Sequence, residues 1–180
     1  MHFIALLDLH LQYMMYIPKI INYKPFYIQT ASDEVAIDTR SWGLIVKSNP
    51  HFVLPKAKTI YKNDWKDENG DDEYIGELKF EAFSIDITFY AKAFSLSCEP
   101  AVAILERQIV SFFKKISQGE FKIYDSHTGQ GFQKVRYDSF DDQSIEYKVK
   151  DNWARVIFSI KLKINDPVTR IHIWSDGILK

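Results

Sequence analysis

Phe83-Ser84-Ile85-Asp86-Ile87-Thr88-Phe89-Tyr90-Ala91-Lys92-Ala93 decides the fold. Phe83, Ile85, Ile87, Phe89 and Ala91 occupy every second position, with Ser84, Asp86, Thr88, Tyr90 and Lys92 between them. A period of two is the pattern of a strand with one buried face and one wet face. The β pattern extends back to Glu77, but Leu78 and Phe80 have the opposite parity. A slip of one residue turns every side chain over, so a bulge or bend is expected near Ala82.

The same alternation recurs downstream. Ile145, Tyr147 and Val149 alternate with charged residues, and Asp151-Asn152 makes a turn. Val156, Phe158, Ile160, Leu162 and Ile164 then form a second apolar face, which Asn165-Asp166-Pro167 ends. Phe121–Tyr124 is a strand before a turn at His127–Gly131, and Val135 and Tyr137 continue beyond it. Upstream, Val35 and Ile37 alternate, Trp42–Val46 is a short apolar run, and Lys56–Tyr61 reads as another short strand. One segment has helical spacing instead: Val102, Leu105, Ile109, Phe112, Phe113 and Ile116. Ser97 fits its N-cap, Lys114 and Lys115 its negative end, and Gly119 its C′ position, with Arg107, Gln108, Ser111 and Lys115 pointing away. The pattern predicts a mainly β protein, an antiparallel β-sandwich or partly closed barrel with one long α-helix, Ser97–Gln118, packed on it. The expected core is Phe83, Ile85, Ile87, Phe89, Leu105, Ile109, Phe112, Val156, Phe158, Ile160 and Leu162.

The 180 residues fit one domain at 27–167, flanked by an extension or arm at 1–26 and a strand or tail at 168–180. Asp8, His10 and Gln12 interrupt the apolar start, so no run of about 20 apolar residues spans a membrane. A secretory leader wants a basic start and an Ala-x-Ala site, and neither is present. Translation from Met14 or Met15 is the expected alternative start. A net charge of -1 argues against a protein whose affinity comes from phosphate backbones. The single Cys98 excludes an internal disulfide and a zinc site built from thiolates.

Chemistry is sparse. With Gly70 as the sixth residue of a calcium loop, Trp65 and Gly76 fall where the carboxylates should be. The five histidines form no i, i+4 pair, and no Gly-x-Ser-x-Gly elbow occurs. Gly129-Gln130-Gly131 lies between two strands rather than before a helix, so it reads as a hairpin and not a phosphate loop. Cys98 near the helix start has no basic partner in sequence, and Ser126-His127 are merely neighbours. No catalytic, cofactor-binding or metal-ligating residue is expected, and no enzymatic activity. Asn63–Tyr74 stands out for charge, with Asp64, Asp67, Glu68, Asp71, Asp72 and Glu73 around Asn69-Gly70, a turn signal. Trp65 is the anomaly there: so large an apolar ring amid charge marks this segment as a candidate subunit interface.

The order of features is informative. Ser41-Trp42-Gly43-Leu44 comes first, then Asn63-Asp64-Trp65-x-x-Glu68-x-Gly70, then the strand Ile85–Ala93. One amphipathic helix follows, then Gly119, a two-part β region and a closing strand ending at Asn165-Asp166-Pro167. This resembles the distal tail proteins of long-tailed bacteriophages and prophages in their short, single-domain form. The resemblance covers roughly Tyr27 to Pro167 and is strongest at the Asn-Asp-Trp…Gly segment. It implies a β-sandwich or partly closed barrel with one helix, related in fold to tail-tube proteins. It further implies a structural virion protein, without catalytic residues, forming a homo-oligomeric ring, usually a hexamer. Such a ring joins the tail tube to the baseplate or tail-tip hub and leaves a channel through which DNA passes in transit. Its implied location is the virion tail, after assembly in the host bacterial cytoplasm, with no membrane partner. The second, carbohydrate-binding-like domain of many members has no counterpart here, so sugar binding is not implied. The alternatives are a tail-tube protein and a monomeric β-sandwich that binds a carbohydrate or other ligand.

Overall fold

The computed structural model describes residues 24–50, 53–60, 62–64, 71–73, 76–95, 99–150 and 152–180, with the backbone alone at 62–64, 71–73, 142–144 and 147. Nine strands and one α-helix are present among them. In chain order they are β1 (Phe26–Thr30), β2 (Ile37–Asp38), β3 (Leu44–Ser48), β4 (Lys62–Asp64), β5 (Asp71–Glu73), β6 (Phe83–Phe94), α1 (Ala101–Ile116), β7 (Phe121–Asp125), β8 (Gln130–Lys150) and β9 (Trp153–Ile164). Seven strands form one antiparallel sheet in the order β2-β1-β7-β8-β9-β6-β3, and β4 and β5 pair separately. The sheet is not closed into a barrel; its end strands β2 and β3 do not pair with each other.

The long strand β8 makes the sheet two-layered. Its first residues pair with β7, as in Ile123↔Phe132, and its remainder pairs with β9. Val135 is the hinge, opposite both Phe121 and Ile164. Lys134 immediately before it has φ 52, the left-handed conformation that a side-chain-bearing residue seldom adopts. A strand that turns such a corner belongs to two sheets at once, and the two layers fold over one another. Phe26 of β1 thereby meets Phe89 of β6 edge-on, with ring centroids 6.3 Å apart, although four strand pairings separate them within the sheet.

Alternation generates the core as the sequence indicates. On β9 every second residue from Ala154 to Ile164 is buried. Its partner β6 buries Ile85, Ile87, Phe89, Ala91 and Ala93 in register with them. Helix α1 lies over this face, with Phe112 5.2 Å from Phe89 and Phe113 6.1 Å from Phe158. Leu105, Phe112 and Ile116 are buried, while Ile109 and Phe83 are only partly covered.

Several expectations need correction. The helix starts at Ala101, with Pro100 extended at its N-cap and no side-chain cap, and ends at Ile116, with Ser117, rather than a residue next to Gly119, as its C-cap. Proline has φ fixed at about -65° and disfavours the helical conformation in the residue before it, so the helix cannot extend upstream through Pro100. Ser97 lies outside the described residues. Val102 is exposed, and Ala101 takes the buried position instead. Gln108 does not point to solvent: its amide faces Gly43, whose φ of 71 and missing side chain let the helix approach. Lys115 also turns inward, bonding Asp33 at 2.5 Å. Val35 lies outside the strands and is exposed, and Thr39–Trp42 forms a 3-10 turn before β3. The parity change near Ala82 is no bulge within a strand. The sheet strand starts at Phe83, and residues 76–82 leave the body.

The C-terminal segment returns to the sheet. Ile171 and Leu179 are buried, Ile173 bridges Leu179, and the Leu179 N–H donates to Gln29 Oε1 at 2.9 Å. Gly131 admits this segment closely: a Cβ there would stand 2.2 Å from the Ile171 carbonyl oxygen.

Candidate interaction surface

Between β3 and β6 the chain makes a two-stranded arm. Lys58 N–H donates to the Lys79 carbonyl and Glu81 N–H to the Lys56 carbonyl, flanking the bridge Ala57↔Phe80. Further along the chain β4 and β5 form a separate antiparallel pair, with Lys62 opposite Glu73, Asn63 opposite Asp72 and Asp64 opposite Asp71. Residues 56–60, 76–79, 81 and 82 are all exposed, and Phe80 is half-buried. Leu54 is 72% exposed and Leu78 50%, values that belong to surface charges rather than to leucines with a core available. An isolated two-stranded ribbon is marginal in water. This one carries apolar groups that its own body does not cover.

The register gives the arm two different faces. Strand parity puts Leu54, Lys56, Lys58 and Ile60 on one side, with Lys79 opposite Lys58. Lys79 Nζ bonds Glu77 at 2.6 Å and holds that carboxyl below the usual carboxylate range. Of the interface residues named from sequence, Asp64, Asp71, Asp72 and Glu73 lie on β4 and β5, so the fold brings them together as one hairpin. Trp65, Asp67 and Glu68 lie outside the described residues. The inner portion of the arm, with Lys56, Lys58 and Lys79 beside Glu77 and Glu81 and with Leu54 and Leu78 exposed, is not marked in the sequence by charge. Its signal was the parity break at Ala82, where the chain leaves the sheet.

The remaining candidates are unremarkable. The turn after β7 is held by Asp125, whose Oδ1 accepts the His127 N–H at 2.8 Å and whose Oδ2 accepts from Asn49 at 2.9 Å. Gly129, at φ 70, closes that hairpin. Cys98 lies outside the described residues. Among the described residues no three His, Cys, Asp or Glu side chains cluster as a metal site would require. Among them, too, no helix is long and apolar enough to cross a membrane. A shallow cleft of about 400 Å³ between the β1 end and β8 is lined by polar groups including Gln29, Asp33, Glu120 and Lys134.

Neither a family model nor a curated protein matches the chain. The SPP1 Dit protein is similar. Its crystal structure, described as a paradigm of the hub adsorption apparatus in phages that infect Gram-positive bacteria, aligns at a TM-score of 0.48 with 12% identity. The alignment covers 82% of this chain and 52% of that one, so this chain spans about half the length of the SPP1 protein.

Proposed function

We propose that the chain is a structural, non-enzymatic phage-tail protein of the distal tail type. Copies form a ring, a hexamer in the usual arrangement, that joins the tail tube to the baseplate or tail-tip hub. The ring leaves a channel for the genome, touching DNA only in transit, and is assembled in the host cytoplasm into the virion tail. The observation that carries this reading is the arm: a charged and apolar ribbon standing off a well-filled body, useful only against a partner. The order of sequence features around it supports the same reading. Asp64, Trp65, Asp67, Glu68, Asp71, Asp72 and Glu73 form the outer part of the proposed contact. A ring interface is heterologous, so each subunit presents two different patches. The near-neutral charge suits a channel wall that must not retain DNA.

Native mass spectrometry and electron cryo-microscopy of the full chain test the proposal. A closed ring is expected, with Trp65→Ala weakening assembly while the subunit's thermal unfolding stays unchanged. A strict monomer at high concentration would overturn it.

A further inference from the structure

Helix α1 does not cover the whole inner face of its layer. On β8 the register puts Phe140 opposite Ile160 and Val149 opposite Ala154, so both share the face that β9 buries. Ile160 and Ala154 are buried, yet Phe140 is exposed and Val149 is 51% exposed. The helix flank on this side carries Val102, Ile109 and Phe113 at helical spacing, with Val102 exposed and Phe113 6.0 Å from Phe140. An apolar groove therefore runs beside α1 over β8. Its outer wall is missing. Strand β7 pairs with β8 only as far as Val135, so from Arg136 to Lys150 the edge of β8 has no strand beside it among the described residues. A strand with one apolar face would complete both, pairing with the edge and laying its side chains into the groove. The other sheet ends offer no such seat: β2 has two residues, and in β3 Leu44 and Val46 already pack against the core.

We infer that residues Leu7–Tyr13 of the same chain are that strand. Leu7, Leu9, Leu11 and Tyr13 alternate with Asp8, His10 and Gln12, the period of a strand with one dry and one wet face. The seat requires this pattern. The leucines lie against Phe140, Val149 and the flank of α1. Asp8, His10 and Gln12 then stand on the outer face, where the register of β8 places Asp141, Glu146 and Lys148. Seven residues of strand run about 23 Å, and the sixteen-residue helix beside them about 24 Å. The chain also has the reach. Residues 14–25 join this segment to β1, and extended they span up to about 40 Å. The rings of Phe26, Phe89, Phe158 and Phe140 follow one another at 6.3, 5.7 and 6.0 Å. The link exceeds that way through the core about twofold, which leaves length to pass round it.

Hydrogen exchange of the full chain, read by mass spectrometry, tests this. Alternate N–H groups of residues 136–150 point away from β9, so their exchange reports whether a strand lies on the open edge. In the wild type residues 7–13 and 136–150 are both expected to be protected. In L9D/L11D, and separately in V149D, both stretches are expected to exchange at least about tenfold faster, with β6 and β9 unchanged as the control for folding. D8K/Q12K, on the outer face, is expected to leave the protection as it was. Residues 7–13 exchanging freely in the wild type would overturn the inference, and so would protection that L9D/L11D leaves intact. Release by L9D/L11D but not by V149D would seat the strand elsewhere and overturn β8 as its edge. Protection that appears only as protein concentration rises would put the strand on another copy and overturn the seat within one chain.

Discussion

The body and the arm are made from the same antiparallel ribbon and differ in what lies against it. In β6 and β9 every second side chain is buried, because α1 and the other layer cover that face. In the arm the backbone pairs at Ala57↔Phe80 and again from Lys62↔Glu73 to Asp64↔Asp71, yet nearly every described side chain stays in water. Hydrogen bonding alone does not distinguish the two, since each net bond contributes only about 1 kcal/mol. Burial does: at about 25 cal/mol per Å² a covered Phe or Ile is stabilised by roughly 2 kcal/mol, whereas the arm's Leu54 gains almost none.

The comparison breaks most visibly at Phe89. This ring touches Phe26, Phe112 and Phe158, joining both layers and the helix. Phe89→Ala is expected to lower stability by about 3–5 kcal/mol in urea unfolding, a large fraction of the roughly 5–15 kcal/mol that holds an ordinary domain folded. Leu179→Ala comes next. Its side chain is fully buried, and the loss is expected at about 2–3 kcal/mol, with amide exchange rising first in residues 171–180.

Asp166 gives a smaller, pH-dependent effect. Burial alone would raise its pKa, but bonds from the Thr169 and Val168 N–H groups and from Gln133 outweigh it and hold the carboxyl at about 2. The folded value lies below the unfolded one, so the stabilisation is complete above about pH 4 and is lost as pH falls towards 2. Asp166→Asn should lower stability at neutral pH by about 1 kcal/mol and flatten the unfolding profile across that acid window. The smallest effect is expected in the arm. Leu54→Ser should move the unassociated subunit's stability by less than about 0.5 kcal/mol. A larger loss would mean that the body depends on the arm, and the distinction between the two would fail.

The alternation in Phe83–Ala93 and Val156–Ile164 was legible because each strand has one dry and one wet face, and period two records that difference. The arm was only half legible. Leu54, Lys56, Lys58 and Ile60 keep strand parity, but sequence does not record whether a covering layer exists. Its acids at 64–73 were conspicuous by charge, while its lysines were hidden in an ordinary strand pattern. The corner at Lys134 left no signal at all, since lysine is not a residue that marks left-handed backbone. The helix start was misplaced because Ser97 has capping chemistry, whereas Pro100 begins a helix by geometry alone.

The pairing of β1 with β7 has a consequence in time. Phe26 leaves the ribosome roughly a hundred residues before its register partner Asp125, which at about 5–20 residues per second is an interval of about 5–20 s. The segment β7–β8–β9 pairs through two local hairpins and can form as soon as it is made, whereas β1 must wait for it. During that interval the strand that will close one layer of the core is an apolar segment with its pairing partner still unsynthesised. Yield on expression should therefore rise with added chaperone, which shields the waiting strand, before any property of the finished fold comes into play.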